Sequence, residues 1–367
     1  MENQLKWRSD CVALLLLVFM LLLGCGGCRK QRNPIEVVQG ADLTNLAVVV
    51  ASPDRLLGID TITFQVRARI LCREMHIDKA ARSASGEVIL ADDDDNGKLY
   101  VLGTDGHVAR SARIVAGPNS PFVYGDLVCV GSRYSANGGA QLNVYSLRDL
   151  RLLRRHAVKG ILLREEDFCG ADGKIYTYYS YEPSSQAGPV AFPVVMDATT
   201  LDTTHIRTGE LFQKEYNGII TLSFAAQRQW LFIASDSYVA LYNLEERRVV
   251  AHRSLKELLE RVGLKEFLIA TKPVIADGFV YMLCAYSEPG NGRTICWVKF
   301  SMENLDIVEA KRLFQDGGAW AGADDFLTFG RFYVVEADLR GLSKFRATFI
   351  DIRTGEVVAK VVESLRK

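Results

Sequence analysis

The stretch Ile350-Asp-Ile-Arg-Thr-Gly-Glu356 joins two runs of apolar and β-branched residues through a four-residue polar turn. Its order is an apolar strand, a small polar residue, a short turn, then a second strand. Working backwards, the same order recurs at Lys299–Asn304, Leu241–Glu246, Val195–Thr200, Val144–Asp149 and Val101–Gly106. The small polar positions are Gly103, Ser146, Asp197, Asn243, Ser301 and Asp351, at spacings of 43, 51, 46, 58 and 50 residues. Five of the six carry a side chain that accepts backbone hydrogen bonds across a turn.

The strand ahead of each turn recurs too: Gly86–Leu90, Gly125–Cys129, Gly173–Thr177, Gln229–Ile233, Gly278–Met282 and Gly330–Val334. In five of the six a glycine leads into β-branched and aromatic residues, the composition of a strand entered through a tight turn. The strand after each turn carries a basic residue: Arg113, His156, His205, His252, Lys311 or Lys360. Inner strands are expected in the connections, at Gly160–Leu163, Ile219–Phe224, Phe267–Ala270 and Asp325–Phe329. Four strands repeating about every 45–50 residues is the period of a β-propeller. The expectation is therefore an all-β propeller of six blades, each a four-stranded antiparallel sheet. Residues 45–76 hold two more strands, Asn45–Ala51 and Thr61–Leu71. They complete the first or last blade, or they belong to a seventh, which is the runner-up architecture. The longest step between copies contains Ser254–Gly263, expected as a short helix near 254–263 with Ser254 and Glu257 as its capping box and Gly263 as its stop.

The Asp351 turn resembles the D-x-x-T-G turn between the outer strands of many propeller blades. Over about residues 60–367 the repeat pattern resembles the six-bladed propeller lipoproteins of bacterial envelopes. A version with eight blades serves the outer-membrane assembly machinery, and this length suggests fewer.

The lipoprotein half of that resemblance rests on the N-terminus. Lys6 and Arg8 precede an uncharged run, Cys11–Leu23, of thirteen residues. That is short of the ~20 residues needed to span a bilayer and has the anatomy of a secretory signal. It ends in Leu22-Leu23-Gly24-Cys25, which resembles the bacterial lipobox. The resemblance implies lipidation of Cys25, a signal peptide over 1–24, a tether over 25–44 and the propeller over 45–367. Multiple acyl chains would anchor the protein stably, and Gly26 at the next position fits a cell-envelope location, outer membrane rather than inner.

The 367 residues are 49% hydrophobic and 24% charged, with 44 basic and 44 acidic residues. This is globular composition, and zero net charge argues against a nucleic-acid partner, which would need a cationic face. Residues 1–24 carry Lys6, Arg8, Glu2 and Asp10, so cleavage leaves 44 − 2 = 42 charges of each sign.

Candidate sites are few. Asp92-Asp-Asp-Asp-Asn-Gly97 begins like a calcium loop, with Asp92, Asp94 and Asn96 as the ligands. Its ninth and twelfth positions are Tyr100 and Gly103 and supply no carboxylate. A polar hairpin between Glu87–Ala91 and Lys98–Leu102 accounts for the same residues. No other cofactor is expected. Cys284 and Cys296 flank a loop centred on Gly290 and would face each other in a symmetric hairpin, a possible disulfide in an exported chain; buried free thiols are the alternative. Glu165-Glu166-Asp167 and Asp324-Asp325 lead to inner strands near a channel mouth, as acid–base pairs or as solvated loop charge. Tyr178 and Tyr181 are a possible stacking platform or core. The basic outer-strand positions are too dispersed around a ring for one metal and read as protection of strand edges. There is no G-x-S-x-G elbow, H-E-x-x-H or P-loop.

Two functions follow. The first is a lipid-anchored, non-enzymatic binding or scaffold module for envelope proteins, peptides or glycans. The second is a channel-mouth enzyme, a glycan lyase or hydrolase or a cyclotransferase.

Overall fold

In the computed structural model the residues described are 34–40, 42–92, 97–114, 120–132, 140–158, 168–181, 190–209, 211–212, 222–235, 237–264, 269–270, 272–288, 292–316, 326–339 and 343–365. They form seven antiparallel sheets arranged as the blades of a propeller. Blade 1 contains β1 (Ile35–Gln39), β2 (Leu46–Ser52), β3 (Arg55–Asp60) and β4 (Val66–Cys72). Blade 2 contains β5 (Ile77–Arg82), β6 (Val88–Asp92), β7 (Lys98–Leu102) and β8 (Val108–Arg113). Blade 3 contains β9 (Phe122–Tyr124), β10 (Leu127–Ser132), β11 (Ala140–Ser146) and β12 (Leu152–Val158). Blade 4 contains β13 (Cys169–Ala171), β14 (Lys174–Tyr181), β15 (Val190–Asp197) and β16 (Thr203–His205). Blade 5 contains β17 (Ser223–Gln227), β18 (Trp230–Ala234), β19 (Tyr238–Asn243) and β20 (Arg248–Ser254). Blade 6 has its inner strand in two pieces, β21 (Ile269–Ala270) and β22 (Val274–Ala276), both paired with β23 (Phe279–Glu288), then β24 (Gly292–Ser301) and β25 (Ile307–Asp316). Blade 7 contains β26 (Phe326–Phe329), β27 (Phe332–Leu339), β28 (Lys344–Asp351) and β29 (Val357–Ser364).

The local cause of each blade is the turn read from the sequence. Asp351 Oδ1 accepts the N–H groups of Arg353 and Thr354 at 3.0 and 3.1 Å. Asp197 does the same for Thr199 and Thr200, and Asn243 for Glu245 and Glu246. Each such turn then needs a residue with positive φ, four positions after the polar one: Leu150, Leu201, Arg247, Leu305 and Gly355. The turn fixes the register of the third and fourth strands, because hairpin register follows loop geometry. The middle strands are buried on both faces, as in β6, whereas innermost strands such as β13 and β22 are half-buried and outer strands alternate, as in β8. The core is therefore a set of apolar layers between neighbouring blades. Val128 and Val130 pack on Ile89 and Val101 between blades 2 and 3, and Val280 and Val298 pack on Phe232 and Leu241 between blades 5 and 6.

The six-blade expectation is corrected to seven, the runner-up. The six repeats are blades 2 to 7. Residues 45–76, expected to complete another blade, instead build their own sheet with β1. Ile35 is the register partner of Cys72 and Gln39 of Arg69. This also moves the start of the propeller from residue 45 back to Ile35, inside the expected tether of 25–44. The pairing of β1 with β4 is not local, so no turn signal announces it. The ring closes between blades 7 and 1 by side-chain packing: Val49 and Leu57 meet Val334 and Phe349, Phe64 stands edge-on to Phe332 and Phe349, and Arg69 pairs with Glu363 at 2.9 Å.

The helix α1 (Leu255–Arg261) lies where expected. Ser254 Oγ accepts the Glu257 N–H, Leu255, Leu258 and Leu259 are buried, and Gly263 has φ 75°. Of the expected inner strands, Asp325–Phe329 and Ile219–Phe224 overlap β26 and β17, and Phe267–Ala270 overlaps β21; Gly160–Leu163 lies outside the described residues.

Candidate functional site

The inner strands converge on the ring axis, where a cavity of about 360 Å³ is lined by residues of blades 1, 2, 3, 6 and 7. Its charged groups are Lys79 and Arg82 on β5, Glu336 on β27, and Lys272 just ahead of β22. Lys79 on β5 is 5% exposed, and its Nζ donates to the Phe326 carbonyl at 3.2 Å. Arg82, at the end of β5, donates Nη2 to the carbonyls of Leu43 and Thr44 at 2.7 and 2.9 Å, and Nη1 to that of Leu46. Its guanidinium carbon lies 5.1 Å from the centre of the Phe329 ring. Burial pulls the Arg82 pKa below its ordinary value, and Asp42 partly offsets this; a guanidinium still stays charged.

Lys272 lies with its Nζ 5.3 Å from the centre of the Phe122 ring, within cation–π range, and Phe122 stacks on Phe168 at 5.1 Å. Glu336 on β27 is 6% exposed, and its Oε1 accepts the N–H of Val50 at 3.3 Å. The described lining thus holds three cations and one carboxylate among apolar and backbone groups. Buried charges persist only when paired or hydrogen-bonded, and here backbone carbonyls, aromatic faces and a backbone N–H contribute that support. Such a lining offers charged, backbone and apolar contacts side by side.

None of these four residues was singled out in the sequence. The available signal was a charge inside a buried strand: Lys79 in Ile77–Arg82, and Glu336 within Val334–Ala337. Their convergence depends on blades far apart in the chain.

The sequence candidates fall elsewhere. Asp92 ends β6 opposite Lys98, in the hairpin expected, and its Oδ1 accepts the His76 N–H at 3.0 Å. Asp94 and Asn96 lie outside the described residues, as do Cys25, Glu165–Asp167 and Asp324–Asp325. Among the described residues no group of three or more His, Cys, Asp or Glu is placed to hold a metal ion. Cys284 and Cys296 are register partners on β23 and β24, as the symmetric hairpin required. Both are buried free thiols, so the possible disulfide gives way to the alternative. Burial pushes the Cys296 thiol up to about 11, with Arg312 opposing, and pushes Cys284 well above its ordinary value. Tyr178 is 1% exposed and packs near Phe224, which removes it from any stacking platform. The basic positions Arg113, His156, His205, His252, Lys311 and Lys360 all lie on outermost strands.

A second concavity of about 810 Å³ lies at the periphery between blades 4 and 5, beside the three-residue strand β16. Its acids have partners within the ring: Asp197 holds its own turn, Asp202 pairs with Arg154 of blade 3 at 3.3 Å, and Glu246 pairs with Arg248 at 2.7 Å.

No family model and no curated protein matches the sequence. Solved structures do resemble it. A protein of unknown function from Desulfotomaculum acetoxidans DSM 771 superimposes with a TM-score of 0.54 at 13% identity, covering 86% of this chain and 95% of that one. The computationally designed Ika8 protein gives 0.50 at 13% identity over 89% and 86%. BamB from Moraxella catarrhalis gives 0.49 at 12% identity over 90% and 92%. At such identities the likeness is one of architecture, and what this chain shares with the first two is the propeller fold.

Proposed function

We propose that this chain is a lipid-anchored, extracytoplasmic binding module of the bacterial envelope, held through Cys25 and taking a protein or peptide partner at the ring axis. The observation that carries the binding half is the axial cavity. It is preformed, and its cations are oriented by carbonyl and aromatic contacts of the ring itself. Lys79 reaches across to blade 7 and Arg82 to blade 1, so both side chains are held by the ring itself, and preorganisation of this kind lowers the cost of binding. The anchoring half rests on the signal anatomy that ends at Cys25, and the outer membrane is the location that fits Gly26.

Affinity capture of the full chain from mildly solubilised membranes, compared with Cys25→Ser and with Lys79→Glu/Lys272→Glu, tests both halves. The wild type is expected to incorporate labelled palmitate and to retain a partner that the double variant loses. Palmitate on Cys25→Ser would overturn the anchor, and a partner retained by the double variant would overturn the axial site.

A further inference from the structure

Blade 1 is wired differently from the other six. In blades 4 to 7 the turn built on a small polar residue joins the third and fourth strands counted from the axis, as Asp351 does between β28 and β29. In blade 1 the same turn is built on Asp60. Its Oδ1 accepts the N–H groups of Ile62 and Thr63, both at 2.8 Å, and Phe64 takes the positive φ of 54°. It joins β3 to β4. By this correspondence β3 and β4 are the third and fourth strands, and β2 is the second.

Packing agrees. Ala47 and Val49 of β2 meet Val334 of β27, the second strand of blade 7. The start of β2 lies beside the start of β6, the second strand of blade 2: a Cβ on Gly86 would lie 3.2 Å from the Thr44 Cα. The strand β1 has docked outside β4, in a fifth place. Among the described residues, β2 is therefore the end of its sheet toward the axis, and no first strand lies inside it.

The axial cavity occupies that place. It lies between β5 and β26, the first strands of blades 2 and 7, and Val48 of β2 lines it. The inner edge of β2 is partly served by side chains. Arg82 donates to the Leu46 carbonyl and Glu336 accepts the Val50 N–H. Backbone groups of alternate residues point to the same edge of an antiparallel strand. The N–H and C=O of Val48 therefore face inward between those two side-chain contacts.

We propose that this edge takes an extended, acidic peptide segment of a partner protein, which adds to β2 as the missing first strand of blade 1. This rests on the binding-module reading and specifies its site. Strand addition draws affinity from the backbone and specificity from flanking side chains. The edge from Leu46 to Val50 is about 13 Å long at ~3.3 Å per residue, enough for five residues. Among the described lining residues, Lys79, Arg82 and Lys272 against Glu336 favour an acidic occupant. Residues 25–33, just ahead of β1, carry Arg29, Lys30 and Arg32 and no acidic residue, which argues against that segment as the occupant.

The probe is a five-residue peptide with valine and threonine at its centre and aspartate at both ends, added to the detergent-solubilised full chain. Fluorescence anisotropy reads binding, and amide hydrogen exchange reads Val48. Binding is expected, with at least ten-fold slower exchange at Val48 at saturation. Affinity should fall at least ten-fold when the central peptide amides are N-methylated, and at least ten-fold in Lys272→Glu. No binding up to millimolar peptide, unchanged Val48 exchange, or equal affinity of the N-methylated peptide would overturn strand addition. A Val48 amide already protected in the free chain, and released by deleting residues 25–33, would name the chain's own tail as occupant and overturn the partner. If these fail while the axial double variant still loses a captured partner, the binding reading stands and only the strand-addition mode is lost.

Discussion

Gly355 closes the turn built on Asp351, and replacing it tests how blade 7 is seated on blade 6. Its φ is 67°, a region that costs an L-residue ~1–2 kcal/mol. That alone does not require glycine here, since Leu150, Leu201 and Leu305 occupy the equivalent position with φ of 57°, 61° and 61°. What distinguishes Gly355 is Trp297 of blade 6. A Cβ on Gly355 would sit 2.5 Å from the ring Cδ2 and 2.8 Å from Cε3. The indole cannot swing aside freely: its Nε1 donates to the Ile352 carbonyl at 2.7 Å, and Lys311 lies over the ring while donating to the Thr354 carbonyl at 2.6 Å. Overpacking a rigid site costs ~1–3 kcal/mol, so Gly355→Ala should destabilise by about 2–5 kcal/mol in all. Gly330 is the control, with φ 58° and no atom within 4 Å of where a methyl group would stand; Gly330→Ala should cost only the conformational ~1–2 kcal/mol. Equilibrium urea unfolding followed by far-ultraviolet circular dichroism gives both numbers. In a Trp297→Ala background, which removes the Cγ, Cδ2 and Cε3 atoms that a methyl group on Gly355 would meet, the extra cost of Gly355→Ala should vanish. Costs for the two alanines within about 0.5 kcal/mol of each other, the limit of additivity for independent sites, would refute the argument.

Three further outcomes are expected. Tyr333→Phe removes a fully buried hydroxyl that donates to the Tyr281 carbonyl at 2.7 Å, linking blades 7 and 6; unfolding should show a loss of about 1–3 kcal/mol, and a neutral change would mean the carbonyl finds another donor. His156 is held below its ordinary value of 6.5, first by burial and then by Arg154. The unfolded chain therefore takes up this proton at higher pH than the folded one, and stability should be full above pH 6.5 and fall as pH drops through the folded pKa. His156→Gln should flatten that slope in urea titrations between about pH 7 and 5, and an unchanged slope would remove His156 as its source. The thiols of Cys72 and Cys129 are pushed up to about 12, chiefly by burial; with Cys284 and Cys296 they should resist maleimide in the folded protein and react in urea, because the thiolate is the nucleophile. Fast labelling of any of the four in the native state would contradict their burial.

The turns and strands of blades 2 to 7 were legible because their cause is local. Asp197, Asn243 and Asp351 bond to backbone two and three residues ahead, and the apolar strands on either side follow at a fixed offset. The same locality made Ser254–Gly263 readable as a capped helix and placed Cys284 opposite Cys296. Blade 1 was not readable in this way, although Asp60 carries the same turn, because its outermost strand, β1, comes from residues ahead of β2 and its place depends on Ile35 finding Cys72. The axial site lay further still from local reading. Lys79, Lys272 and Glu336 sit on different blades, and nothing near each in the chain says that they share a cavity. The sequence by itself determined the repeating unit, since hydrogen bonds between near neighbours write the turn. The tertiary structure decided the blade number, the open inner edge of β2 and the charged lining beside it, since those depend on which distant strand edges pair and on how the ring closes.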